Sequence, residues 1–327
     1  MRILVSGAAG RVGARTVKEF LDAGHSVIGF DARPTSEAGD RYTGRVGRLE
    51  CTSDVTDAVA GMDVVLHLGA VMSWAPADNE RMQRANVEGT RVLLEAASNA
   101  GVQRFVFASS GEVYPENAPE SLPLTEGHPL KPNSPYGLTK LIGEELVRFH
   151  QRTGAMEIVI LRFSHVQDAA ELIDEESFFS GPRFFFEPRI RYMESIGNLA
   201  HAEILRRSNP GIPAHVLARN GDGRPYMMHI TETRDIVAGL KLAAEHPEAA
   251  GETFNLGATE PVDFGWLIER MSSITGYPII PVDFPGPGVY YQTSNAWIRQ
   301  RLGYKPLWTV ERMLREAEAT RKARATG

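Results

Sequence analysis

The chain begins with a short apolar run, a turn with three glycines at three-residue spacing, and a segment of helical periodicity. Residues 1–6 have the sequence MRILVS, the glycines are Gly7, Gly10 and Gly13, and the helical pattern is clear from Thr16. A strand, a glycine turn and a helix in this order form the phosphate-binding unit of dinucleotide-binding sheets. The spacing is GxxGxxG where the usual fingerprint is GxGxxG, and a purely structural turn is the alternative. We expect the loop to hold a dinucleotide, because glycine lets backbone approach a pyrophosphate closely.

Asp31 follows a second apolar run, residues 25–30. An acidic residue at this place, about 20 residues beyond the glycines, accepts a hydrogen bond from the ribose 2′-hydroxyl and favours NAD over NADP. Arg33 favours the opposite choice, because a nearby arginine can bind a 2′-phosphate. We expect NAD as the cofactor. The predicted cofactor contacts in this region are Gly7, Gly10, Arg11, Val12, Gly13, Asp31 and Arg33.

Apolar runs alternate with segments of helical periodicity through the first half of the chain. The runs are 62–69, 104–110 and 157–163, and the helical segments are 87–97 and 135–149. Continuous apolar strands separated by amphipathic helices are typical of a parallel sheet with helices on both faces. The predicted fold class is therefore α/β, a doubly wound parallel sheet of the Rossmann type. Ligands of such sheets bind at the carboxyl ends of the strands.

Tyr136 and Lys140 are four residues apart in the sequence SPYGLTK, so a helix would place them on one face. The ordinary pKa of tyrosine is about 10, and a cation held close to the phenol favours the phenolate and lowers that pKa. Ser110, at the end of the run 104–110, could hold a substrate oxygen beside them. Such a set can interconvert an alcohol and a ketone, although the pair by itself is also compatible with an ordinary surface helix.

Composition and charge argue against several classes of partner and site. The formal net charge is −6, which argues against nucleic acid and against an anionic membrane surface. Cys51 is the single cysteine, so we expect neither a disulfide framework nor a metal site. No apolar run is long enough for a membrane span, and the N-terminus has no signal-peptide pattern. We expect a cytoplasmic protein with a small-molecule substrate.

The order of the motifs resembles that of the NAD-dependent epimerase/dehydratase family, the extended short-chain dehydrogenases/reductases. The resemblance covers nearly the whole chain. It rests on the glycine loop, Asp31, Asp54-Val55, HLGA at 67–70, NVEGT at 86–90, SSGEVY at 109–114, the Tyr136–Lys140 pair and RLGYKP at 301–306. By this resemblance Tyr136 is the acid/base, Lys140 lowers its pKa and binds the nicotinamide ribose, and Ser110 binds the substrate oxygen.

The resemblance also implies contacts around the rest of the cofactor. Asp54 and Val55 would flank the adenine, with a turn or helix cap as the alternative for Asp54. Leu68, Gly69 and Ala70 would form a loop beside the cofactor. A homodimer is implied as well. Length and resemblance together predict a dinucleotide-binding domain of residues 1–165, with 225–258 returning to it, and a smaller substrate-binding lobe of residues 166–224 and 259–327.

Past Arg162 the chain departs from the sugar-nucleotide members of the family. Those members commonly carry an asparagine where this chain has His165, and an arginine soon after a Gly-Asp-Gly, where this chain has only Arg224. Both differences weaken the case for a nucleoside diphosphate on the substrate. Residues 178–192 are rich in phenylalanine and arginine. They either wall a substrate pocket, with Arg183 or Arg189 clamping a carboxylate or phosphate, or fill the core of the lobe or a subunit interface.

The sequence therefore predicts an NAD-dependent oxidoreductase of the epimerase/dehydratase type, in which Tyr136 removes the proton of a sugar or sugar-nucleotide hydroxyl. One alternative is a simple dehydrogenase or reductase of a free sugar, sugar acid or other small hydroxy compound. A non-catalytic NAD-sensing protein is the other, and the complete Ser110, Tyr136 and Lys140 set argues against it. Glu112 stands where a dehydratase needs a further acid or base, but a loop carboxylate facing water is the preferred interpretation. The predicted substrate contacts are Ser110, Glu112, His165 and Arg183.

Overall fold

The computed structural model describes residues 1–115, 117, 119–286 and 288–326. Its central sheet is built from β1 (Arg2–Ser6), β2 (Ser26–Asp31), β3 (Tyr42–Val46), β4 (Val64–His67), β5 (Arg104–Ser110), β6 (Glu157–Phe163) and β11 (Thr253–Leu256). All neighbouring strands in this sheet are parallel, and their order is β11-β6-β5-β4-β1-β2-β3.

The strands of the central sheet are covered on both faces. Ile3, Leu4 and Val5 of β1 are fully buried. Ile3 and Val5 belong to one apolar cluster and Leu4 to another. Because successive side chains of a strand point to opposite faces, a strand covered on both sides is apolar throughout its length. This explains why the sequence shows continuous apolar runs rather than an alternating pattern.

Helices form a layer on each face. The cluster of Ile3 and Val5 is completed by the helices at 11–22, 233–245 and 296–302, and that of Leu4 by the helices at 52–59, 89–99 and 135–153. This arrangement confirms the predicted doubly wound fold. No helix in the described part of the chain is both long and apolar enough to cross a membrane. The helices are α1 (Arg11–Asp22), α2 (Thr52–Val59), α3 (Asn79–Met82), α4 (Gly89–Asn99), α5 (Pro135–Thr153), α6 (Ser180–Phe184), α7 (Phe186–Ser195), α8 (Leu199–Ser208), α9 (Thr233–Glu245), α10 (Phe264–Thr275), α11 (Ala296–Leu302) and α12 (Val310–Thr326).

Short strand pairs and the remaining long helices enclose two further apolar clusters, one around Phe184 and one around Phe186. The structure differs from the predicted division of the chain at α11. The boundaries predicted from the sequence assign this helix to the substrate-binding lobe. In the structure, Ile298 and Leu302 pack against the central sheet, where their neighbours are apolar residues of α9 and β11. The pairs are β7 (Val166–Gln167) with β10 (Thr231–Glu232), β9 (Met227–Met228) with β12 (Val262–Asp263), and β8 (His215–Arg219) with β13 (Ile279–Asp283).

The carboxyl ends of the central strands lie along one edge of the sheet. Gly7 follows β1, Leu68 follows β4, Ser110 ends β5 and Ser164 follows β6. Since β1 pairs with both β2 and β4, the connections leave this strand in opposite directions, and a crevice opens where they diverge. The fold thereby places the glycine loop and Ser110 at the same crevice.

Candidate active site

The glycine loop between β1 and α1 has no room for side chains at two of its three glycines. Gly7 has a φ of +75°, and a Cβ on it would lie 2.7 Å from the Cα of Gly69. A Cβ on Gly13 would lie 2.0 Å from the carbonyl oxygen of Gly7. Gly10 is the N-cap of α1 and has no side chain to occupy the first N–H groups of the helix. The loop therefore presents bare backbone and a helix N-terminus, which suits a pyrophosphate.

A groove follows this edge as two adjoining cavities of about 830 Å³ and 730 Å³. Gly7, Gly10 and Leu68 line both cavities, so the two form one path across the carboxyl ends of the strands. An extended dinucleotide needs such a path. The predicted cofactor contacts that line it are Gly7, Gly10, Arg11, Val12, Gly13, Asp31, Arg33, Leu68, Gly69, Ala70, Tyr136 and Lys140.

Asp31, at the end of β2, braces the glycine loop. One carboxylate oxygen accepts the N–H of Ala9 and the other accepts the N–H of Arg33, both at 3.0 Å. An ionised carboxylate offers about four lone-pair sites, so these two bonds leave capacity for ribose hydroxyls. The exposed Arg33 side chain donates to the carbonyl oxygen of Ala9 at 3.1 Å. Both predicted residues thus stand at the cavity, with the carboxylate held in place by the loop.

The expected adenine contacts Asp54 and Val55 stay a prediction. Asp54 lies in the first turn of α2, where its carboxylate accepts the N–H of Arg48 at 3.0 Å, and Val55 is fully buried. Neither residue lines the groove, whereas Arg48 and Leu49 do. The reason is that β3 ends at Val46, so the loop after it reaches the groove before α2 begins. The apolar Leu49, just beyond the end of β3, was the feature of the sequence that could have indicated this part of the groove.

The helix α5 brings Tyr136 and Lys140 to the 730 Å³ cavity. Ser134 caps the helix by accepting a first-turn N–H at 2.9 Å, and Pro135 occupies the first helical position. Lys140 follows one turn later, with its Nζ 5.8 Å from the centre of the Tyr136 ring. That nitrogen also donates to the carbonyl oxygen of Ala108 on β5 at 2.8 Å. The cap sets where the helix begins, and β5 anchors the ammonium.

The protein's own groups keep Tyr136 protonated. Burial raises the pKa of Tyr136 above its ordinary value of 10, and the negative charge of Glu112 raises it further. Burial also lowers the pKa of Lys140 to about 8, against the opposing effect of Glu144. The expectation that Lys140 lowers the pKa of Tyr136 stays a prediction, because burial and Glu112 set the direction in the protein by itself. Removal from water penalises each charged form more than the ammonium stabilises the phenolate.

Ser110 lines the same cavity at the end of β5. Its oxygen accepts the N–H of Glu112 at 3.1 Å. A serine hydroxyl has one proton to donate, and within the described residues that proton has no acceptor. Ser110 is thus oriented by the backbone and able to donate to a ligand oxygen.

Glu112 is held inside the cavity wall. Its carboxylate accepts the indole N–H of Trp74 at 3.2 Å and the hydroxyl of Ser134 at 2.5 Å. Burial raises the pKa of Glu112 above its ordinary value of 4.5, while hydrogen bonds from Ser134 and Trp74 and the charge of Arg183 act against the rise. The interpretation of this residue as a loop carboxylate facing water is wrong, because two neighbouring donors turn the side chain inward.

A buried ion pair connects α5 to the central sheet. Arg162 on β6 donates two hydrogen bonds to Glu144 on α5, each of 2.8 Å, and the hydroxyl of Ser109 donates to Glu144 at 2.6 Å. Arg162 also donates to the phenol oxygen of Tyr114 at 2.7 Å. Buried charges need pairing and hydrogen bonds, and this cluster ties α5 to β5 and β6. The sequence interpretation missed it, since no local spacing links residues 144 and 162.

Comparison with known proteins identifies the family. The model of the NAD dependent epimerase/dehydratase family matches residues 3–170. The chain belongs to this family. A curated relative in it, an uncharacterized UDP-glucose epimerase of Bacillus subtilis (strain 168), is 30% identical over 294 residues, which are 84% of this chain and 83% of the relative. A dTDP-glucose 4,6-dehydratase of Streptomyces griseus is 28% identical over 326 residues, which are 93% of this chain and 89% of the relative.

A solved structure is more similar still. It is a short-chain dehydrogenase/reductase superfamily protein of Agrobacterium tumefaciens with bound NAD, 62% identical to this chain, with a TM-score of 0.96. The match covers 100% of this chain and 98% of that one. Membership of the epimerase/dehydratase family confirms the resemblance seen in the sequence. The protein is an NAD-dependent enzyme of the extended short-chain dehydrogenase/reductase type, and NAD is the cofactor that its family assigns to it.

Two positions at which the sequence departs from the sugar-nucleotide members of the family have different places in the structure. His165 lines the cavity of Ser110, Tyr136 and Lys140, which we call the catalytic cavity after its expected role. Its ring centre lies 4.3 Å from that of Phe179, and burial lowers the pKa of His165 well below 6.5. Arg224 is exposed, paired with Asp222 and lying over the ring of Tyr290 at 4.6 Å. It lines neither cavity of the groove. The remaining candidate for a diphosphate clamp is thus outside the catalytic cavity.

The phenylalanines of the stretch 178–192 are divided between cavity wall and core. Phe178 and Phe179 line the catalytic cavity, with the guanidinium of Arg183 5.4 Å from the ring centre of Phe179. Phe184 and Phe186 are buried in the clusters beside the central sheet. Part of the stretch therefore lines a cavity and part of it fills the core, and the role of the cavity in substrate binding stays a prediction. The predicted substrate contacts Ser110, Glu112, His165 and Arg183 all line one cavity.

Proposed function

We propose that this family member oxidises a hydroxyl-bearing carbon of a sugar or sugar nucleotide, with Tyr136 as the acid/base group. The observation that carries the proposal is one cavity lined both by the glycine loop and by Ser110, Tyr136 and Lys140. A cofactor on the loop and a substrate oxygen at Ser110 would meet in that cavity. Binding both reactants in one cavity converts a bimolecular reaction into an effectively unimolecular one.

The residues of the groove fit NAD. The bare backbone of the glycine loop would hold the pyrophosphate, Asp31 would accept a ribose hydroxyl, and Lys140 would donate to the nicotinamide ribose. When bound, NAD supplies a hydride acceptor and a positive charge that favours the tyrosine phenolate.

The chain's own residues then hold the substrate and move the proton. Ser110 donates its hydroxyl proton to the substrate oxygen and positions that oxygen beside Tyr136. As phenolate, Tyr136 takes the proton of the substrate hydroxyl, and as phenol it returns a proton to the ketone oxygen. Because burial raises the pKa of Tyr136, the protein by itself holds this residue in the form that donates a proton.

Tyr136→Phe tests the proposal, because phenylalanine keeps the ring and removes the transferable proton. We expect kcat to fall by roughly 10²- to 10⁴-fold, with the Kd for NAD nearly unchanged. Turnover of sugars and sugar nucleotides and calorimetric binding of NAD are the two measurements. Tyr277→Phe, in the lobe, is the matched control and should leave both unchanged. An unaltered kcat in Tyr136→Phe would contradict the role of Tyr136, whereas NAD binding without any turnover in the wild type would favour the NAD-sensing alternative.

A simple dehydrogenase or reductase of a free sugar or sugar acid is the second candidate. It is favoured by the position of Arg224, which pairs with Asp222 at the surface and leaves the catalytic cavity without that arginine for a diphosphate. Net formation of NADH on a free sugar would support the dehydrogenase. Redox-neutral isomerisation of a nucleotide sugar, with no net NADH, would support the epimerase.

We also propose a homodimer formed through α4 and α5. Leu138 and Phe149 on α5 are 45% and 54% exposed, and an interface would cover these apolar side chains. Sedimentation equilibrium should give the mass of two chains. Phe149→Glu should lower that mass towards a single chain, because a charge would lose its water in the interface.

A further inference from the structure

A second cavity of about 580 Å³ adjoins the catalytic cavity. The two share Trp74, Glu112, Phe178 and Arg183 at their boundary. If the reaction takes place at Ser110, as the proposed function states, the part of the substrate beyond the reacting carbon extends into this second cavity. Its lining therefore bears on the substrate class.

Arg189 on α7 lines the second cavity and is buried, with 5% of its surface exposed. One terminal nitrogen donates to the carbonyl oxygen of Arg183 at 2.7 Å. The Nε atom is buried and has no hydrogen-bond partner among the described residues. The guanidinium carbon lies 5.0 Å from the ring centre of Phe284 and 6.0 Å from that of Tyr226. Arg189 is thus a cation set between aromatic rings, and no carboxylate of the described residues pairs with it.

Two other buried arginines, Arg162 and Arg104, each have a glutamate as counter-ion. Arg162 donates two hydrogen bonds to Glu144. Arg104 pairs with Glu157 and donates to three backbone carbonyl oxygens of the segment 243–246. An unpaired buried charge is costly, and burial lowers the pKa of Arg189 to about 10. The anion that Arg189 lacks in the chain would come from a ligand of the cavity.

Three arginines and three glutamates line the second cavity, and Arg189 is the arginine of this lining without a carboxylate neighbour in the described part of the chain. Arg191 pairs with Glu176 at 3.9 Å, and the charge of Arg183 favours the ionised form of Glu112. Arg189 has no comparable acidic neighbour within the described residues. The single guanidinium of Arg189 matches a single negative charge on the ligand. A phosphate dianion or a diphosphate would exceed it and would meet the carboxylate of Glu112.

We propose that the substrate is a carbohydrate acid whose carboxylate binds the guanidinium of Arg189. A planar guanidinium binds a carboxylate through two parallel N–H bonds, and Nε with a terminal nitrogen forms such a fork. The rings of Phe284 and Tyr226 fix the position of the guanidinium beside the cavity. The exposed Glu175 adds a further negative charge to the lining, which disfavours multiply charged ligands.

The test uses sugars that differ only at C6. D-Glucuronate and D-galacturonate are compared with D-glucose and D-galactose and with the 6-phosphates of both, in the presence of NAD, for calorimetric binding and for turnover. We expect the wild-type protein to bind one of the acids about tenfold or more tightly than its neutral counterpart. Arg189→Met should weaken binding of that acid by about 30-fold or more and remove the preference, with NAD affinity unchanged.

A second variant keeps the proposal testable if Arg189→Met fails to fold. Arg189→Lys retains the charge and loses the fork, so its KM for the acid should rise about tenfold while its KM for the neutral sugar stays unchanged. Arg207→Met, at an exposed position on α8 that pairs with Glu203, is the matched control and should behave as wild type.

Three results would overturn the carbohydrate-acid proposal. They are equal binding of acids and neutral sugars, preference for a 6-phosphate, and acid binding that survives in both Arg189 variants. Failure of the proposed function is distinguishable from these. In that case acid binding would depend on Arg189 but turnover would be absent, or would be unaffected by Tyr136→Phe.

Discussion

Lys140 lies one turn of α5 after Tyr136, with its ammonium nitrogen 5.8 Å from the centre of the phenol ring, and both side chains are buried. In water such an ammonium would favour the phenolate. Here burial dominates, so the pKa of Tyr136 rises and that of Lys140 falls to about 8. The protonation state of the pair is therefore decided by exclusion of water as much as by the spacing of the two residues.

Lys140→Met should remove a pH dependence of stability. The pKa of Lys140 is about 8 in the folded protein and 10.5 for the ordinary side chain. Between these values the unfolded chain holds the proton and the folded protein does not, so the free energy of unfolding rises with pH. Relative to Lys140→Met, the wild type should gain about 3 kcal/mol across this window. Urea unfolding of both proteins from neutral pH to above 10.5 measures the gain, and a constant difference would contradict it.

Glu144→Gln should destabilise the protein strongly, because it leaves Arg162 as a buried charge without its counter-ion. Loss of one partner of a buried pair costs about 3–5 kcal/mol. Thermal and urea unfolding should show the loss. The control is Glu145→Gln on the same helix, whose exposed carboxylate pairs with Arg148 and should cost less than about 1 kcal/mol. Adding Arg162→Met to Glu144→Gln should recover part of the stability, and no recovery would mean that the loss is not one of charge pairing.

Gly13→Ala and Gly10→Ala should separate folding of the glycine loop from cofactor binding. A Cβ on Gly13 would lie 2.0 Å from the carbonyl oxygen of Gly7, whereas one on Gly10 would lie 3.1 Å from it. Gly13→Ala should therefore cost about 1–3 kcal/mol of stability as well as NAD affinity. Gly10→Ala should retain most of the stability and still weaken NAD binding, since its methyl group stands at the cavity. Melting temperature and calorimetric NAD affinity test the ordering, and equal stability losses would contradict it.

Glu112 should give an acidic limb in the pH profile of kcat/KM. Burial raises the pKa of Glu112 above 4.5, and the hydrogen bond from Trp74 acts against that rise. Glu112→Gln should abolish the limb, because it removes the titrating group. Trp74→Phe should move the limb to higher pH, because the ionised carboxylate loses a donor. Persistence of the limb in Glu112→Gln would assign it to another residue.

Local features of this chain were predictable from the sequence. The strand, glycine turn and helix at residues 1–22, the alternation of apolar runs and helices, and Asp31 at the end of a strand all depend on neighbouring residues and on backbone geometry. The Tyr136–Lys140 spacing belongs to the same class, because a helix places positions four apart on one face. Parallel strands then bring their carboxyl ends together, which is why Ser110 and the glycine loop were expected at one crevice.

Other features depend on residues far apart in the sequence, and only the tertiary structure decided them. Arg48 and Leu49 line the groove because the path of the chain after β3 brings them there before α2 begins. Glu144 is the counter-ion of Arg162 because two packed elements bring them together. Burial, which no local pattern specifies, sets the direction of the pKa of Tyr136. Arg189 has no acidic partner among the residues that the structure describes, and that too depends on the packing of distant segments. Sequence order thus determined the sheet and its ligand-binding edge, whereas solvent exclusion and long-range pairing determined the charge state of the groups along that edge.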